Sequence, residues 1–482
     1  MRGRSLSILV AGLVCAGCAV GPDFQRPAAP GDVRYTPEAP QSTAAGEGHA
    51  QRFIAGQAVD ARWWQLLRCP ALDSIVGQAL SGNQSLEASR ATLRESQDSL
   101  RAGYGVFFPQ VDARAGATRQ LYNPAPGTLP SSTFNLFSLS GTVSYSLDVW
   151  GGQRRQVEAL GAAVDVQRYA LAAAYIMLTG NVVDAVIAQA AYGDELDATR
   201  ATISVLQEQV RIARAQATGG TSPYSTVLTL QSQLASTEAT LPPLEEKIDQ
   251  AADLLAMLTG RTPASWKQPT LALSDLRLPD ELPVSLPSQL VRQRPDVLVA
   301  EAQLHGANAN IGVATAAMLP NVTLTGALGA NGTSLGNVFA SNSPFWSAGA
   351  GLVQPVFHGG ALYYQRKAAI DARDAAAAEY RQTVLGAFQQ VADTLRGLSH
   401  DADTLAAETE AVETAEKALR LVQANYQSGI ATYLQVLVAD GLYLQAKLGY
   451  VQAVAQRLQD TVALYVALGG GWWNASGAAP RG

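Results

Sequence analysis

Cysteine is scarce in this chain: three in 482 residues, two of them at Cys15 and Cys18. If Cys18 is modified, Cys69 is left without a partner in the mature chain, which excludes a disulfide framework. The four histidines, His49, His305, His358 and His400, are scattered, and no pair has metal-ligand spacing. Charge is also sparse, 15 % of residues with a net charge of -6, so there is no electrostatic case for a nucleic-acid partner. Beyond the N-terminus no uninterrupted apolar run reaches about eighteen residues, so no membrane-spanning helix is expected. Nucleophile-elbow, zinc and phosphate-loop motifs are missing too. "GGQRR" and "GTSLGN" read as glycine-containing junctions rather than phosphate cradles. Neither an enzyme nor a metal or cofactor site is expected.

What is present begins with an address. Arg2 and Arg4 give a basic start, and Leu6 to Leu13 form an apolar core too short to span a bilayer. Ala16 and Gly17 then precede Cys18, resembling the bacterial lipobox, although Cys15 stands where leucine is usual. This predicts a signal peptide over 1–17 and a lipidated mature N-terminus at Cys18. A second possibility is an ordinary signal peptide cut at a small residue. The following "GPDFQRP" opens a stretch, flexible to about Arg62, within an N-terminal linker over 18–70.

The chain then repeats itself at an offset of about 210 residues. "NQSLEASRATLRESQDSLRAGYGVFFPQV" from Asn83 lies over "RPDVLVAEAQLHGANANIGVATAAMLPNV" from Arg294, with Pro109 on Pro320. Later landmarks recur in the same order, so the repeats are 71–265 and 286–470, with a linker over 266–285 and a tail over 471–482. Each copy reads as a helical segment ended by proline, a strand hairpin (about 109–148 and 320–357), a very long helix (about 152–217 and 360–427) and a returning helix (about 223–259 and 433–468). Glycines at Gly219, Gly220 and Gly429 turn the chain before each returning helix.

The hairpins alternate. Gly141, Val143, Tyr145 and Leu147 are interleaved with Ser140, Thr142, Ser144 and Ser146. Soluble antiparallel sheets show the same pattern. Strands of about ten residues, however, have the length that crosses a bilayer at a tilt, and Tyr145 and Trp346 are of the interfacial aromatic type. Backbone groups in lipid must all be paired, so such strands must close into a barrel, and the smallest known barrels need about eight. Four strands per chain cannot close, and strands in a membrane therefore require an oligomer.

The long helices carry a heptad seam: Val157, Val164, Leu171, Leu178 and Ala185, then Leu196, Ile203 and Val210 after a shift. Val384, Val391, Leu398, Leu405, Val412 and Leu419 repeat it. Each helix would be roughly 100 Å long at 1.5 Å per residue. An ordinary coiled coil gives the same seam but does not explain hairpins at the same point of both copies.

These features resemble the outer membrane factors of tripartite efflux systems, the TolC-like group, and especially its NodT-type lipoprotein branch. The residues that carry the likeness are "GPDFQRP", "WWQLL" at Trp63, "LASTEATLPPLE" from Leu234, "RQRPDVLVAEAQLHGANANIGVATAAMLPNVTLTGALG" from Arg292 and "ALGGGW" near the C-terminus. The resemblance implies a mainly α fold with a transmembrane β part: a homotrimer whose chains share one twelve-stranded outer-membrane barrel continuous with a twelve-helix periplasmic barrel. It implies a passive, gated conduit for small molecules, in the outer membrane of a Gram-negative bacterium and extending into the periplasm. Partners would be outer-membrane lipid, a periplasmic adaptor and an inner-membrane pump of the RND type. A type I protein-secretion channel and a non-conducting envelope coiled coil are the alternatives. At the periplasmic tip the family's constriction uses a Leu, an Asp and an Arg. Here "YLQVLVADGLY" keeps Leu434, but Val438 and Gly441 stand at the charged positions. The expected gate is therefore Leu434 supported by Tyr433, with Asp440 as a second candidate that either lines the pore or lies solvated or at an interface.

Overall fold

The computed structural model describes residues 19–32, 34–37, 42–43, 50–123, 131–267, 269 and 271–474. Cys18 and the signal segment lie outside the described residues. The chain forms two compact units, one from the described parts of 1–27, 92–168 and 299–381, the other from those of 28–91, 169–298 and 382–482.

In chain order the elements are β1 (Arg52–Ala55), α1 (Pro70–Gly82), α2 (Gln84–Gly103), β2 (Gln110–Tyr122), β3 (Ser132–Leu147), α3 (Gly152–Thr218), α4 (Tyr224–Glu238), α5 (Leu241–Leu258), β4 (Glu281–Val284), α6 (Pro287–Gln293), α7 (Pro295–Ala316), β5 (Asn321–Gly332), β6 (Pro344–Val353), α8 (Ala361–Gln427) and α9 (Tyr433–Ala467). The duplication is thus visible as two runs of short helices, hairpin, 67-residue helix and returning arm.

Several local rules set these boundaries. Between α1 and α2, Asn83 ends one helix and caps the next, its Oδ1 accepting from the Leu86 N–H at 3.0 Å. Arg294 separates α6 from α7 because the residue before Pro295 is held out of the helical region, with ψ 124°. The first returning arm is two helices rather than the one expected. Pro242 and Pro243 sit in the first turn of α5, where a missing N–H costs nothing, and the chain restarts there after Ala239 and Thr240. The second arm has no proline and runs unbroken for 35 residues.

In the first unit the strands pair β2-β3-β5-β6, all antiparallel, leaving β2 and β6 as edges. β2 runs from Gln110 to Tyr122, within the first hairpin expected over about 109–148.

The second unit holds most of the helical core. The heptad residues Leu178, Ala185, Leu196, Ile203, Val210, Val391, Leu398, Leu405 and Leu419 are all buried in it. Arg294, of the Arg-Pro-Asp motif, is buried; it donates through Nη1 to the Ala467 carbonyl at 2.9 Å and through Nη2 to Asp296 at 2.6 Å. A cation on the last carbonyls of α9 offsets the negative end of the helix, so this motif is a structural cap.

One expectation is corrected here. The segment before Arg62 is not simply flexible: β1 pairs in parallel with β4 from the linker between repeats. Val59, Trp63 and Leu67 are buried beside it, with Trp63 stacked 5.2 Å from Tyr465. One helix, α3, does contain a stretch apolar enough by length and composition to cross a membrane. More than half of that stretch is buried, and Val182, Val183, Val186 and Ile187 are core residues, as in the central helix of a packed bundle.

Candidate functional site

The sheet has two chemically distinct faces. Directly opposed residues share a face, so the register Val111↔Val143↔Gly326↔Ala348, with Leu139↔Ala330 and Leu324↔Ala350, builds an apolar side. Tyr145, Leu147, Leu328, Trp346 and Leu352 lie on it as well. The other side carries Gln110, Asp112, Arg114, Ser140, Thr142, Ser144, Thr323 and Thr325. Among the described residues no helix covers the apolar side: Leu328 is 68 % exposed and Trp346 78 %. A sheet with a dry exposed face, a hydroxyl-lined opposite face and two open edges is what a subunit of a water-filled membrane barrel presents.

At their C-terminal ends α3 and α8 both stop in the same way. The Thr221 N–H donates to the Gln216 carbonyl at 3.0 Å, and the Ile430 N–H to the Asn425 carbonyl at 2.8 Å. Each bond wraps a residue with left-handed backbone, Gly220 (φ 73°) and Gly429 (φ 76°), which glycine adopts without a Cβ penalty. Gly219 is not left-handed and precedes the turn residue.

Past the second turn, α9 divides its side chains between two faces. Tyr433 packs with Leu437 against Leu206, Val210, Ala213, Val227 and Leu230 of α3 and α4. The Tyr433 hydroxyl donates to Gln209 Oε1. Its ring meets Tyr426 edge-on at 5.6 Å, and the Tyr426 hydroxyl accepts from Gln216 Nε2 at 3.2 Å. The second tip is thereby tied to the first copy's helix end. Asp440, two turns on from Tyr433, lies on this packed face at 4 % exposure. Burial pushes its carboxyl up to about 6, and its charge in turn helps burial hold the Tyr433 phenol well above the usual range. It is not a solvated side chain.

Leu434, Val438 and Leu442 form the opposite stripe, 65, 55 and 57 % exposed. They look onto Ala415, Ala418 and Val422 of α8 across a groove of about 1070 Å³. No charged pair accompanies Leu434 on this stripe. Gln209, Gln216 and Tyr426 were missed from sequence, and only the seven-residue spacing of Tyr426 and Tyr433 around a glycine turn hints at their link.

A second set of acids lies deeper in the same unit. Burial first, then the neighbouring Asp460, holds the Asp401 carboxyl well above the usual range. Burial and Asp460 likewise push Asp184 up to about 6. Among the described residues no group of three or more acids, histidines or cysteines is arranged to hold a metal ion.

The uncovered apolar face, the wet face and the paired helical tips define a subunit of an outer-membrane conduit. The sequence profile of the outer membrane efflux protein family matches residues 75–261 and 286–470, and the chain belongs to that family. It is 28 % identical over 482 residues to the pyoverdine export outer membrane protein OpmQ of Pseudomonas aeruginosa, covering 98 % of each chain. It is 29 % identical over 479 residues to the toluene efflux pump outer membrane protein TtgI of Pseudomonas putida, covering 98 % of this chain and 99 % of that one. Among solved structures, the outer-membrane channel OprN superposes with a TM-score of 0.86 at 26 % identity, over 94 % of this chain and all of the other. The fold is that of TolC-like outer-membrane channels, and the protein is an outer-membrane efflux channel.

Proposed function

We propose that three copies join β2 to β6 around a ring, closing a twelve-stranded barrel whose dry face meets lipid and whose hydroxyl face lines the lumen. The observation that carries this reading is the four-stranded sheet with both edges open and its apolar face uncovered. The resting channel is closed at the tip by three Leu434 side chains converging on the axis, each held by its own Tyr433. Asp440 supports the packed face instead of lining the pore. The turns at Gly220 and Gly429 present the tip to a periplasmic adaptor, which links it to an inner-membrane pump of the RND type. Cargo is small organic molecules; export of pyoverdine by OpmQ and of toluene by TtgI's pump supports that class. Cys18 carries lipid and forms the mature N-terminus.

The test is assembly and conductance of the purified protein. Expected are a trimer that survives mild detergent and ion conductance in planar bilayers. A stable monomer that conducts, or a trimer that never does, contradicts the proposal. Intact mass of the mature chain checks Cys18: acylation there is expected, and an unmodified N-terminus at another residue refutes it.

A further inference from the structure

The strands β2, β3, β5 and β6 hold only three charged residues, Asp112, Arg114 and Arg119. Asp112 and Arg114 stand on the wet face. Arg119 does not. The register Val111↔Val143, Ala113↔Gly141, Ala115↔Leu139, Ala117↔Phe137 and Arg119↔Asn135 runs without a bulge, so Arg119 belongs to the dry side. It is exposed, and its Nη1 reaches Asn135 Oδ1 at 3.5 Å. It forms no ion pair among the described residues, and from Ala113 to Leu147 the sequence holds no acid.

The height of Arg119 gives this charge its meaning. On β3 the dry side reads Leu147, Tyr145, Val143, Gly141, Leu139 and Phe137, then turns polar at Asn135 and Thr133. From Leu147 to Phe137 the strand advances about 3.4 Å per residue, which at a tilt of about 45° is a rise of about 24 Å. The apolar band of a membrane barrel is about 25 Å tall. Arg119 and Asn135 come one pleat beyond it, at the end away from α3. A charge on the lipid face is costly near midplane and nearly free at the rim. The chain after β5 marks the same level. Gly332 lies opposite Phe137, and a Cβ on it would come 2.7 Å from the Val338 N. The loop therefore folds back onto the dry side at this row, with Val338 buried and Leu335 and Phe339 exposed.

We propose that Arg119 binds the phosphate of an outer-leaflet lipid, with Leu335 and Phe339 lying against that lipid's acyl chains. The inference rests on the reading of the dry face as the one that meets lipid. A guanidinium carries five N–H donors in a planar fork that matches phosphate, and Asn135 occupies only part of it. No acid on the hairpin neutralises the cation, so an anionic headgroup is its complement. Arg119 faces away from the lumen, and cargo does not meet it there.

The probe is diphosphoryl lipid A, titrated onto the full-length protein in non-ionic detergent. Native mass spectrometry reads bound lipid and oligomer mass in one spectrum. The wild type is expected to bind this lipid at least fivefold more tightly than its dephosphorylated form. Arg119→Gln is expected to remove that preference. Asn135→Asp, which keeps the arginine but sets a carboxylate beside it, is expected to do the same, and Arg119→Lys to keep part of it. No preference in the wild type, or an equal one in Arg119→Gln, overturns the site. Inorganic phosphate bound by the wild type as tightly as the lipid overturns the lipid assignment. Lipid is counted per protomer, so loss of the trimer with the preference intact contradicts the barrel and supports this site.

Discussion

Tyr224 and Tyr433 open the returning arms of the two copies at the same point of the repeat, yet their surroundings differ. Tyr224 is 65 % exposed, whereas Tyr433 is packed into the helices behind it and tied to Gln209. The next residues differ in kind and not in exposure: Ser225 in the first copy and Leu434 in the second are both exposed. Three positions after the tyrosines the copies agree again, with Val227 and Val436 both buried. The first arm then breaks at Thr240 while the second continues. Duplication has kept the scaffold position and freed the outward ones. The first arm serves as a backing for the second, and only the second carries an exposed leucine stripe. A gate needs a side chain that can leave its neighbours, and a support that cannot.

The largest expected effect tests what both copies share, the sheet. Leu328→Arg puts a charge on the dry face in the middle of β5 and should cost about 2–4 kcal/mol per chain, abolishing the detergent-resistant trimer on gels. Thr142→Arg, on the wet face, should leave assembly unchanged. Equal loss from both would erase the distinction between faces.

Next comes the contrast between the two tyrosines. Tyr433→Phe deletes the bond to Gln209 and should cost about 0.5–1.5 kcal/mol in unfolding. It should also sensitise cells to a dye or antibiotic excluded by the closed channel. Tyr224→Phe should do neither. A matching leak from Tyr224→Phe would make the copies equivalent.

How far the sequence anticipated this contrast depended on the range of the interactions involved. Heptad spacing marked the buried seam of α3 and α8, and the alternation after Leu139 matched the observed register, because both are repeated locally. The parallel pairing of β1 with β4 joins four-residue strands more than two hundred residues apart, too short for periodicity to reveal. Pro242 and Pro243 were visible, but proline is compatible with a helix start and ambiguous about a break before it. Leu434 was singled out through the resemblance of "YLQVLVADGLY" to the family's constriction run, and the structure places it on an exposed stripe. The face chosen by Asp440 depends on which side of α9 meets α3, and no local spacing encodes that.

Smaller effects concern the buried acids. Folded-state values for Asp184 and Asp440 stand at about 6, against 3.8 for the free side chain, and Asp401 is raised as well. Each is easier to fold protonated. Their cost is absent below about pH 4, grows as pH rises toward the folded values, and is complete above about pH 8. Thermal unfolding of the purified protein should show this contribution as a midpoint falling from pH 5 to pH 8. Asp401→Asn should flatten the fall, most strongly near neutrality. Asp440→Asn should flatten only its acidic part and leave resting conductance near wild type, the smallest change of the set.

The central claim is that the second copy closes the channel by apolar packing at Leu434. Single-channel recording of wild type, Leu434→Ala and Asp440→Asn in planar bilayers, each at low and high salt, tests it most directly. Leu434→Ala should raise resting open probability by a similar factor at both salts, because no ion pair is there to be screened. An unchanged Leu434→Ala channel, with Asp440→Asn opening strongly and in proportion to salt, would contradict the account.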